Sequence, residues 1–412
     1  MEIDGPVNVA RLVGNINGKE KIIYLFMDIH IDPENQTECS NIRSQDIKTF
    51  LINLIDRISE KTSNYDFLIE IKPTLSHKYD SSEKGRYIDT VTKVFKKEFK
   101  DTIDQSSHVL SSKSFSNIRL HSIDIRDYMK HNVNPYIYEL LEVTEMTWRN
   151  LSINKKNLEW MSRVIDKITD RVKLIYDIIE SNAMKVIDHN VPMKPMSPSS
   201  RREMNTYKKE DYDKRIKLIL FKILNEYKNE DIKKTILKII DNYGKSNFKK
   251  FFKASKSLED EIESAGKKLR QYSNRLVIDD VSGPNYGIPP NVSRKLIYNL
   301  YKKVDKYYLI WMDLHSIIMD IYFLRRFLDK EYIVNAVAYT GIYHSINYIY
   351  FLVKYFKFKI TDCAYVKDNI GLDKMNKIIS KAKSPEDIQK YFYPDTLIQC
   401  SSIESFPKDF IN

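Results

Sequence analysis

The chain has 412 residues, 42% hydrophobic and 30% charged, so it can bury a large core and is not an intrinsically disordered protein. Its net charge of +11 has the sign that nucleic-acid binding requires. Lysines alternate with acidic residues along the predicted helices, however, which is typical of solvated helix faces and predicts weak nucleic-acid binding at most. No stretch is apolar enough to span a membrane or to serve as a signal peptide, and we expect a cytoplasmic protein without a membrane partner.

The three cysteines, Cys39, Cys363 and Cys400, lie far apart in the sequence. Their odd number and wide spacing match neither a disulfide framework nor a zinc-binding pattern. We therefore expect no disulfide framework and a reducing compartment.

The first third of the chain predicts alternating strands and helices. Two β-rich runs joined by a turn that ends in Asn17-Gly18 predict a hairpin. Apolar residues at helical spacing predict a helix over 44–59. The β-rich runs that we predict as strands here are residues 9–13, 21–30, 65–71 and 118–125.

From about residue 135 to residue 329 the chain is predicted to be helical, and strands return only near its end. Residues 332–339 form an apolar run typical of a buried strand, followed by a turn at Gly341 and a helix. A buried strand so late in the chain needs a sheet to join, and the only other strands precede residue 130. We therefore predict one α/β core with a mixed sheet, built from an N-terminal part and a C-terminal part around a large all-helical insertion. The predicted segments are residues 1–134, 135–330 and 331–412.

Candidate site residues follow the predicted strands, where open α/β sheets bind their ligands. Asp28 and His30 end the first long strand, and alternation of side chains along a strand places them on one side. Glu70 follows an apolar run, so its carboxylate needs a partner such as a metal, an arginine or a backbone donor. Imidazole and carboxylate groups together suit a divalent transition metal.

The next two strand ends extend this pattern. Asp124, close to Arg126, follows the strand that ends near residue 125, and it can serve either as a catalytic carboxylate or as a capping residue. His344 follows Gly341 at a strand-to-helix turn. We predict that His30, Glu70 and His344 hold a divalent metal of unknown identity, and that Glu70, Asp28 and Asp124 are the catalytic carboxylates.

A family resemblance rests on three of these segments. The run Tyr24-Leu-Phe-Met-Asp-Ile-His30, then Phe67-Leu-Ile-Glu70, then Ala338-Tyr-Thr-Gly-Ile-Tyr-His344, resembles the superfamily of erythromycin esterase, ChaN, TraB and Tiki proteins. The resemblance implies a site built from His30, Glu70 and His344, in a metal-dependent hydrolase of the esterase or protease class. Met27 stands where that superfamily usually has glycine, and Asp28 where it has glutamate. The Lys, Ile, Asn and Tyr-rich composition also resembles uncharacterised proteins of large DNA viruses of amoebae.

Two functions of different classes follow from the sequence. The first is a metal-dependent hydrolase of a small-molecule or peptide substrate, in which the metal lowers the pKa of a bound water and a carboxylate acts as general base. The second is a catalytically degenerate protein that uses the same fold as a structural, virion or nucleic-acid-associated binding protein. If the protein is viral, we expect it in the host cytoplasm or the virion. The sequence does not specify the oligomeric state.

Overall fold

The computed structural model describes residues 1–71, 85–99, 109–112, 114–150, 153–180, 209–273 and 290–407. Over these ranges the protein has a mixed α/β fold, which confirms the predicted fold class. The strands are β1 (Glu2–Asp4), β2 (Asn8–Ile16), β3 (Lys19–Asp28), β4 (Gln45–Asp46), β5 (Tyr65–Ile69), β6 (Val109–Ser111), β7 (Ile118–Ser122), β8 (Asn335–Gly341), β9 (Lys359–Cys363) and β10 (Cys400–Ser402). The α-helices are α1 (Ile47–Ser59), α2 (Tyr87–Glu98), α3 (Asp127–Arg149), α4 (Lys155–Glu180), α5 (Lys209–Asn225), α6 (Glu230–Ile239), α7 (Lys245–Ser273), α8 (Pro290–Asp329), α9 (Ile342–Phe356), α10 (Leu372–Lys381) and α11 (Glu386–Phe392).

The main sheet has seven strands in the order β6-β7-β5-β8-β3-β2-β9. Its four central strands, β7, β5, β8 and β3, are parallel to one another. The outer strands β6, β2 and β9 pair antiparallel. The late strand β8 lies between β5 and β3, two strands of the N-terminal part. This position confirms the prediction that the two ends of the chain share one sheet.

The hairpin predicted near Gly18 is formed by β2 and β3 and closes with a two-residue turn. Ile16 pairs with Lys19, and the turn residues Asn17 and Gly18 have φ values of 54° and 77°. Two consecutive left-handed residues are the requirement of the tight turn that matches strand twist, and Asn-Gly meets it at low cost. The turn is therefore shorter than the stretch of 14–18 in which the sequence placed it.

Strand β3 shows how the sheet is covered on both faces. Ile23, Leu25 and Met27 belong to the core formed with the helical segment, and the alternate residues Tyr24 and Phe26 pack towards α1 and α2. All five are almost completely buried. A strand buried on both faces has a nearly continuous apolar sequence, as this one does.

Helices α3 to α8 fill the chain between β7 and β8 in the described ranges, and no strand lies there. Their exposed lysines pair with acidic residues three or four positions away, as in Lys267 with Glu263 and Lys256 with Asp260. Such exposed ion pairs lie on solvated helix faces and contribute little to stability. The longest helix, α8, brings residues of this segment beneath the sheet, where Asp320 is fully buried. The division at residues 134 and 330 remains a prediction.

A second, three-stranded sheet contains the first and last strands, in the order β10-β1-β4. Beside it, Cys39 and Cys400 form a disulfide across 361 positions of sequence. The expectation from cysteine spacing was wrong here, because the fold brings two distant cysteines together at a Cα separation of 5.0 Å. Cys363 is the free cysteine.

No helix in the part of the chain that the structure describes combines the length and the apolar character needed to cross a bilayer.

Candidate active site

Four parallel strands end at the same edge of the main sheet, and each delivers predicted site residues. Register aligns these ends, since Asp28 of β3 lies beside Gly341 of β8, and Ile69 of β5 lies beside Tyr339 of β8. Glu70 is the next residue after β5. The strand ends therefore bring the predicted site residues, among them His30, Asp124 and His344, to one crevice.

Glu70 is the centre of this crevice, and its side chain is only 5% exposed. Its Oε1 accepts a hydrogen bond from Nη2 of Arg126 at 2.5 Å, and its Oε2 accepts one from the backbone N–H of Gly341 at 2.7 Å. Of the partners that the sequence left open, the structure supplies an arginine and a backbone donor. Burial acts to raise the pKa of Glu70, but the charge of Arg126 and the hydrogen bond with His30 hold that pKa well below its usual value.

His30 lies at the mouth of the crevice, with 29% of its side chain exposed. Its Nδ1 is 2.9 Å from Oδ2 of Asp28, and its Nε2 is 3.4 Å from Oε2 of Glu70. Burial acts to lower the pKa of His30, but the hydrogen bonds to Asp28 and Glu70 raise that pKa to about 10. His30 is therefore an imidazolium at neutral pH.

The backbone of His30 is unusual as well. Its φ of 48° places a non-glycine residue in the left-handed region, a conformation that costs free energy and that concentrates at functional sites. The conformation directs the ring back towards Asp28, two positions earlier.

His344 lies in the first turn of α9, the helix that follows β8. Like His30, it directs its Nδ1 towards a carboxylate, here that of Asp320. Its Nδ1 is 2.7 Å from Oδ1 of Asp320, and the other oxygen of Asp320 accepts a hydrogen bond from Nδ2 of Asn347 at 2.6 Å. Its Nε2 is 3.2 Å from Nη1 of Arg126 and 3.7 Å from Oε1 of Glu70. Because a guanidinium can only donate, this contact assigns the lone pair to Nε2 and the proton to Nδ1, which faces Asp320.

Arg126 connects these groups. Its Nε and Nη2 contact the two oxygens of Asp124 at 2.7 and 3.0 Å, and the same Nη2 contacts Glu70. Burial acts to lower the pKa of Arg126, but the carboxylates of Asp124 and Glu70 raise it above its usual value. Asp124, predicted as a catalytic carboxylate, therefore orients the arginine from two positions away. The catalytic role itself stays a prediction.

Gly341 permits the close approach of these side chains. A Cβ atom at this position would lie 3.1 Å from Nε2 of His30 and 3.5 Å from Oε2 of Glu70. Gly341, which has no side chain, therefore lies against the carboxylate of Glu70, and His344 follows it by one helical turn.

Two residues at this site were not predicted from the sequence. Asp320 lies in the last third of a 40-residue helix, and no pattern in that helix distinguishes it from the other acidic residues. Gln399, whose Nε2 is 3.4 Å from Oδ1 of Asp28, is an isolated polar residue near the end of the chain. Only the packing of α8 and of the last strand against the sheet identifies them.

The donor set has one feature that favours a metal and two that oppose it. Histidines whose Nδ1 faces a carboxylate, as in Asp28–His30 and Asp320–His344, are the usual metal-binding form. The guanidinium of Arg126, however, contacts both Glu70 and His344. Among the described residues, only the group of Glu2, Cys39 and Cys400 has three ligating atoms within 4.8 Å of one another. As arranged, the crevice does not fit a metal ion, because its ligand atoms are too far apart and a cationic side chain lies among them.

Comparison with known proteins places the chain in a family. A model described as "Family of unknown function (DUF5847)" matches residues 1–411. The chain belongs to this family.

Relatives along nearly the whole length come from Acanthamoeba polyphaga mimivirus. "Uncharacterized protein R706" is 34% identical, covering 99% of this chain and 96% of the relative. "Uncharacterized protein R161" is 33% identical, covering 100% and 98%, and "Uncharacterized protein R160" is 31% identical, covering 100% and 97%. No solved structure matches the chain. The predicted likeness to proteins of large amoebal viruses is confirmed, whereas the resemblance to the erythromycin esterase superfamily gains no support from these matches.

Proposed function

We propose that the crevice around Glu70 is the active site of a hydrolase of esters or peptides. The observation that carries the proposal is the convergence of two Asp–His pairs on one Glu–Arg ion pair. Asp28–His30 approaches Glu70 from β3, and Asp320–His344 approaches it from α9 and α8. A structural ion pair needs neither histidine, and it does not need a histidine held at positive φ.

The two histidines have different contacts at Nε2, a carboxylate for His30 and a guanidinium for His344, and this difference suits acid and base roles in one site. His30 carries a proton on both ring nitrogens, so it is suited to donate one to a leaving group. His344 has a lone pair on Nε2 and a proton on Nδ1, so it is suited to accept a proton from water.

In the proposed reaction, water attacks the carbonyl carbon while one of its protons passes to Nε2 of His344. Arg126 exchanges its contact with His344 for one with the developing oxyanion, and Asp124 keeps the guanidinium in place. His30 then gives its Nε2 proton to the leaving oxygen or nitrogen. After the products leave, His344 releases the proton that it took from water, and the partly exposed His30 regains a proton from solvent.

The proposal assigns to Arg126 the positive charge that the sequence assigned to a metal. Binding of a divalent metal by His30, Glu70 and His344 remains a prediction, and it requires Arg126 to leave and the ligands to draw together. The resemblance to erythromycin esterase, TraB and Tiki proteins also belongs to this proposal. Its support is that the three resembling segments end at one crevice.

The test compares wild type with His30→Gln, His344→Gln and Arg126→Gln. The probes are p-nitrophenyl butyrate for esterase activity and a fluorogenic casein for protease activity. Arg149→Gln is the matched control, because Arg149 forms an exposed ion pair with Glu145 in the last turn of α3. We expect each site variant to lose at least about tenfold of the rate, equivalent to about 1.4 kcal/mol, while the control retains it.

Elemental analysis of the same preparations tests the metal separately. A divalent metal in stoichiometric amount in wild type, absent from a His30→Ala and His344→Ala double variant, would replace the arginine-centred mechanism with the metal-dependent one. If wild type hydrolyses neither probe and holds no metal, the hydrolase proposal fails for these classes. The degenerate binding protein then becomes the better hypothesis, with the lysine-rich helices as its candidate surface.

A further inference from the structure

The disulfide and the candidate active site are connected by one buried residue, Gln399. Gln399 precedes Cys400 and is fully buried. Its backbone N–H donates to Oγ1 of Thr37 at 2.7 Å, and its Oε1 accepts from the backbone N–H of Thr37 at 3.3 Å. Thr37 in turn lies two positions before Cys39. We call these paired segments, residues 37–39 and 399–400, the clip.

The side-chain amide of Gln399 connects the clip to the site. Nε2 of Gln399 donates to Oδ1 of Asp28 at 3.4 Å, while Oδ2 of Asp28 contacts Nδ1 of His30 at 2.9 Å. Asp28 is fully buried, so few other groups can fix the orientation of its carboxylate. A shift of Gln399 therefore turns the carboxylate that orients His30.

We propose that Gln399 is a positioning residue for the Asp28–His30 pair, and that the Cys39–Cys400 disulfide holds it in place, so that reduction of this disulfide alters the site. Without the bond, the hydrogen bonds with Thr37, Gly5 and Asp28 and the pairing of β10 with β1 still hold Gln399, but the covalent link to residues 37–39 is lost. The effect on hydrolysis rests on the proposed function. The effect on the His30 ring does not.

The reduction itself is chemically simple and sterically accessible. A dithiol such as dithiothreitol transfers two electrons and two protons, so that it becomes a cyclic disulfide and Cys39 and Cys400 become thiols. Both cysteines line a cavity of about 540 Å³ at the surface, together with Glu38 and Ser40. A small thiol can therefore reach the sulfur atoms without unfolding the protein.

The experiment follows the His30 ring directly, in full-length protein selectively labelled with ¹³C-histidine. Spectra of the oxidised and the dithiothreitol-reduced protein are recorded at one pH, with His30→Gln used to assign the His30 signal. The His344 signal is the internal reference, because Asp320 orients that ring and the clip does not contact it. EDTA is present throughout, since free thiolates of Cys39 and Cys400 together with Glu2 could bind a metal.

Three variants separate the disulfide from side effects of the reductant. A Cys39→Ser and Cys400→Ser double variant should reproduce the reduced spectrum without reductant. Gln399→Met, which keeps the length of the side chain but removes its amide, should move the His30 signal even in the oxidised protein. Cys363→Ser, which removes the free cysteine, should leave the response unchanged. Alkylation after denaturation verifies the redox state, with one label in the oxidised protein and three in the reduced protein.

We expect the His30 signal to move on reduction while the His344 signal stays, and any hydrolysis rate to fall about fivefold, as for the loss of one hydrogen bond. If the His30 signal is the same in the oxidised, reduced and Gln399→Met proteins, the proposal is overturned. If the His30 signal moves but no form hydrolyses either probe, the positioning role stands and the proposed function fails.

Discussion

Arg126 and Glu70 follow neighbouring parallel strands, are 56 positions apart in sequence, and form a buried ion pair with Nη2 and Oε1 at 2.5 Å. Only 12% of the arginine side chain and 5% of the glutamate side chain is exposed. A carboxylate buried at this depth is stable only while its partner remains, because water cannot replace the lost interaction.

The first prediction follows from that relationship. Arg126→Met should lower the free energy of unfolding by about 3–5 kcal/mol, since it removes the closest charged partner of a buried carboxylate. A second change, Glu70→Gln, should restore part of the loss in the double variant. The measurement is a double-mutant cycle by urea denaturation, with Arg149→Met as the exposed control. Additive losses in the cycle would show that the two side chains do not interact.

The second prediction concerns the carboxylate that α8 supplies. Asp320→Asn should remove the acceptor for Nδ1 of His344 and cost about 1–3 kcal/mol of stability. The ¹³C signal of the His344 ring should move, while that of His30 stays. Asp305→Asn is the control, because Asp305 lies exposed on the same helix. An unchanged His344 signal in Asp320→Asn would contradict the assigned contact.

The third prediction tests the close approach at Gly341. Gly341→Ala places a methyl group 3.1 Å from Nε2 of His30, so the ring must move and the proposed hydrolysis should fall at least about tenfold. Gly371→Ala is a closely matched control, since both glycines precede a helix with φ near −55 to −60° and Gly371 has no atom within 4 Å of the added methyl. Equal effects of the two substitutions would remove the steric explanation.

The fourth prediction is a pH dependence of stability. The pKa of His30 is raised to about 10 in the folded protein, above its unfolded value of 6.5. The stabilisation is therefore complete below pH 6.5 and is lost as the pH rises from 6.5 through 10, with a slope of up to about 1.4 kcal/mol per pH unit.

The comparison that isolates this slope is wild type against His30→Gln across pH 6.5 to 10. Lys21, whose pKa burial lowers to about 8, contributes a slope of opposite sign above pH 8. Because Lys21 is present in both proteins, its contribution cancels in the difference. A difference in stability that does not change with pH would disprove the assignment of His30 as an imidazolium.

The fifth prediction concerns the shared sheet. A fragment of residues 1–134 lacks β8, so β5 and β3 would each present an unpaired edge and could not pair with one another. We expect this fragment to aggregate, whereas the full chain unfolds cooperatively. Sedimentation and thermal unfolding monitored by circular dichroism measure both properties. A soluble fragment with a sharp melting transition would show that the N-terminal part forms its own core.

The sequence by itself determined β2, β3, β5, β7 and β8, their grouping at the two ends of the chain, and the approximate place of the site. It did not predict the short strands β1, β4, β6 and β10. Local signals carried this information. The Asn17-Gly18 turn requires left-handed φ, apolar runs predict buried strands, and a carboxylate after such a run, Glu70, needs a partner. Each signal lies within a few consecutive residues, where backbone sterics and burial act without reference to the rest of the fold.

Only the tertiary structure decided which partners those residues have. Arg126 lies beside Glu70, Asp320 from the last third of α8 orients His344, and Cys39 pairs with Cys400 across 361 positions. Side chains such as these are common along the sequence, and spacing cannot distinguish them. Their roles arise when the sheet aligns four strand ends and the helices pack against it, because burial then makes each charged group depend on the few partners within hydrogen-bonding distance.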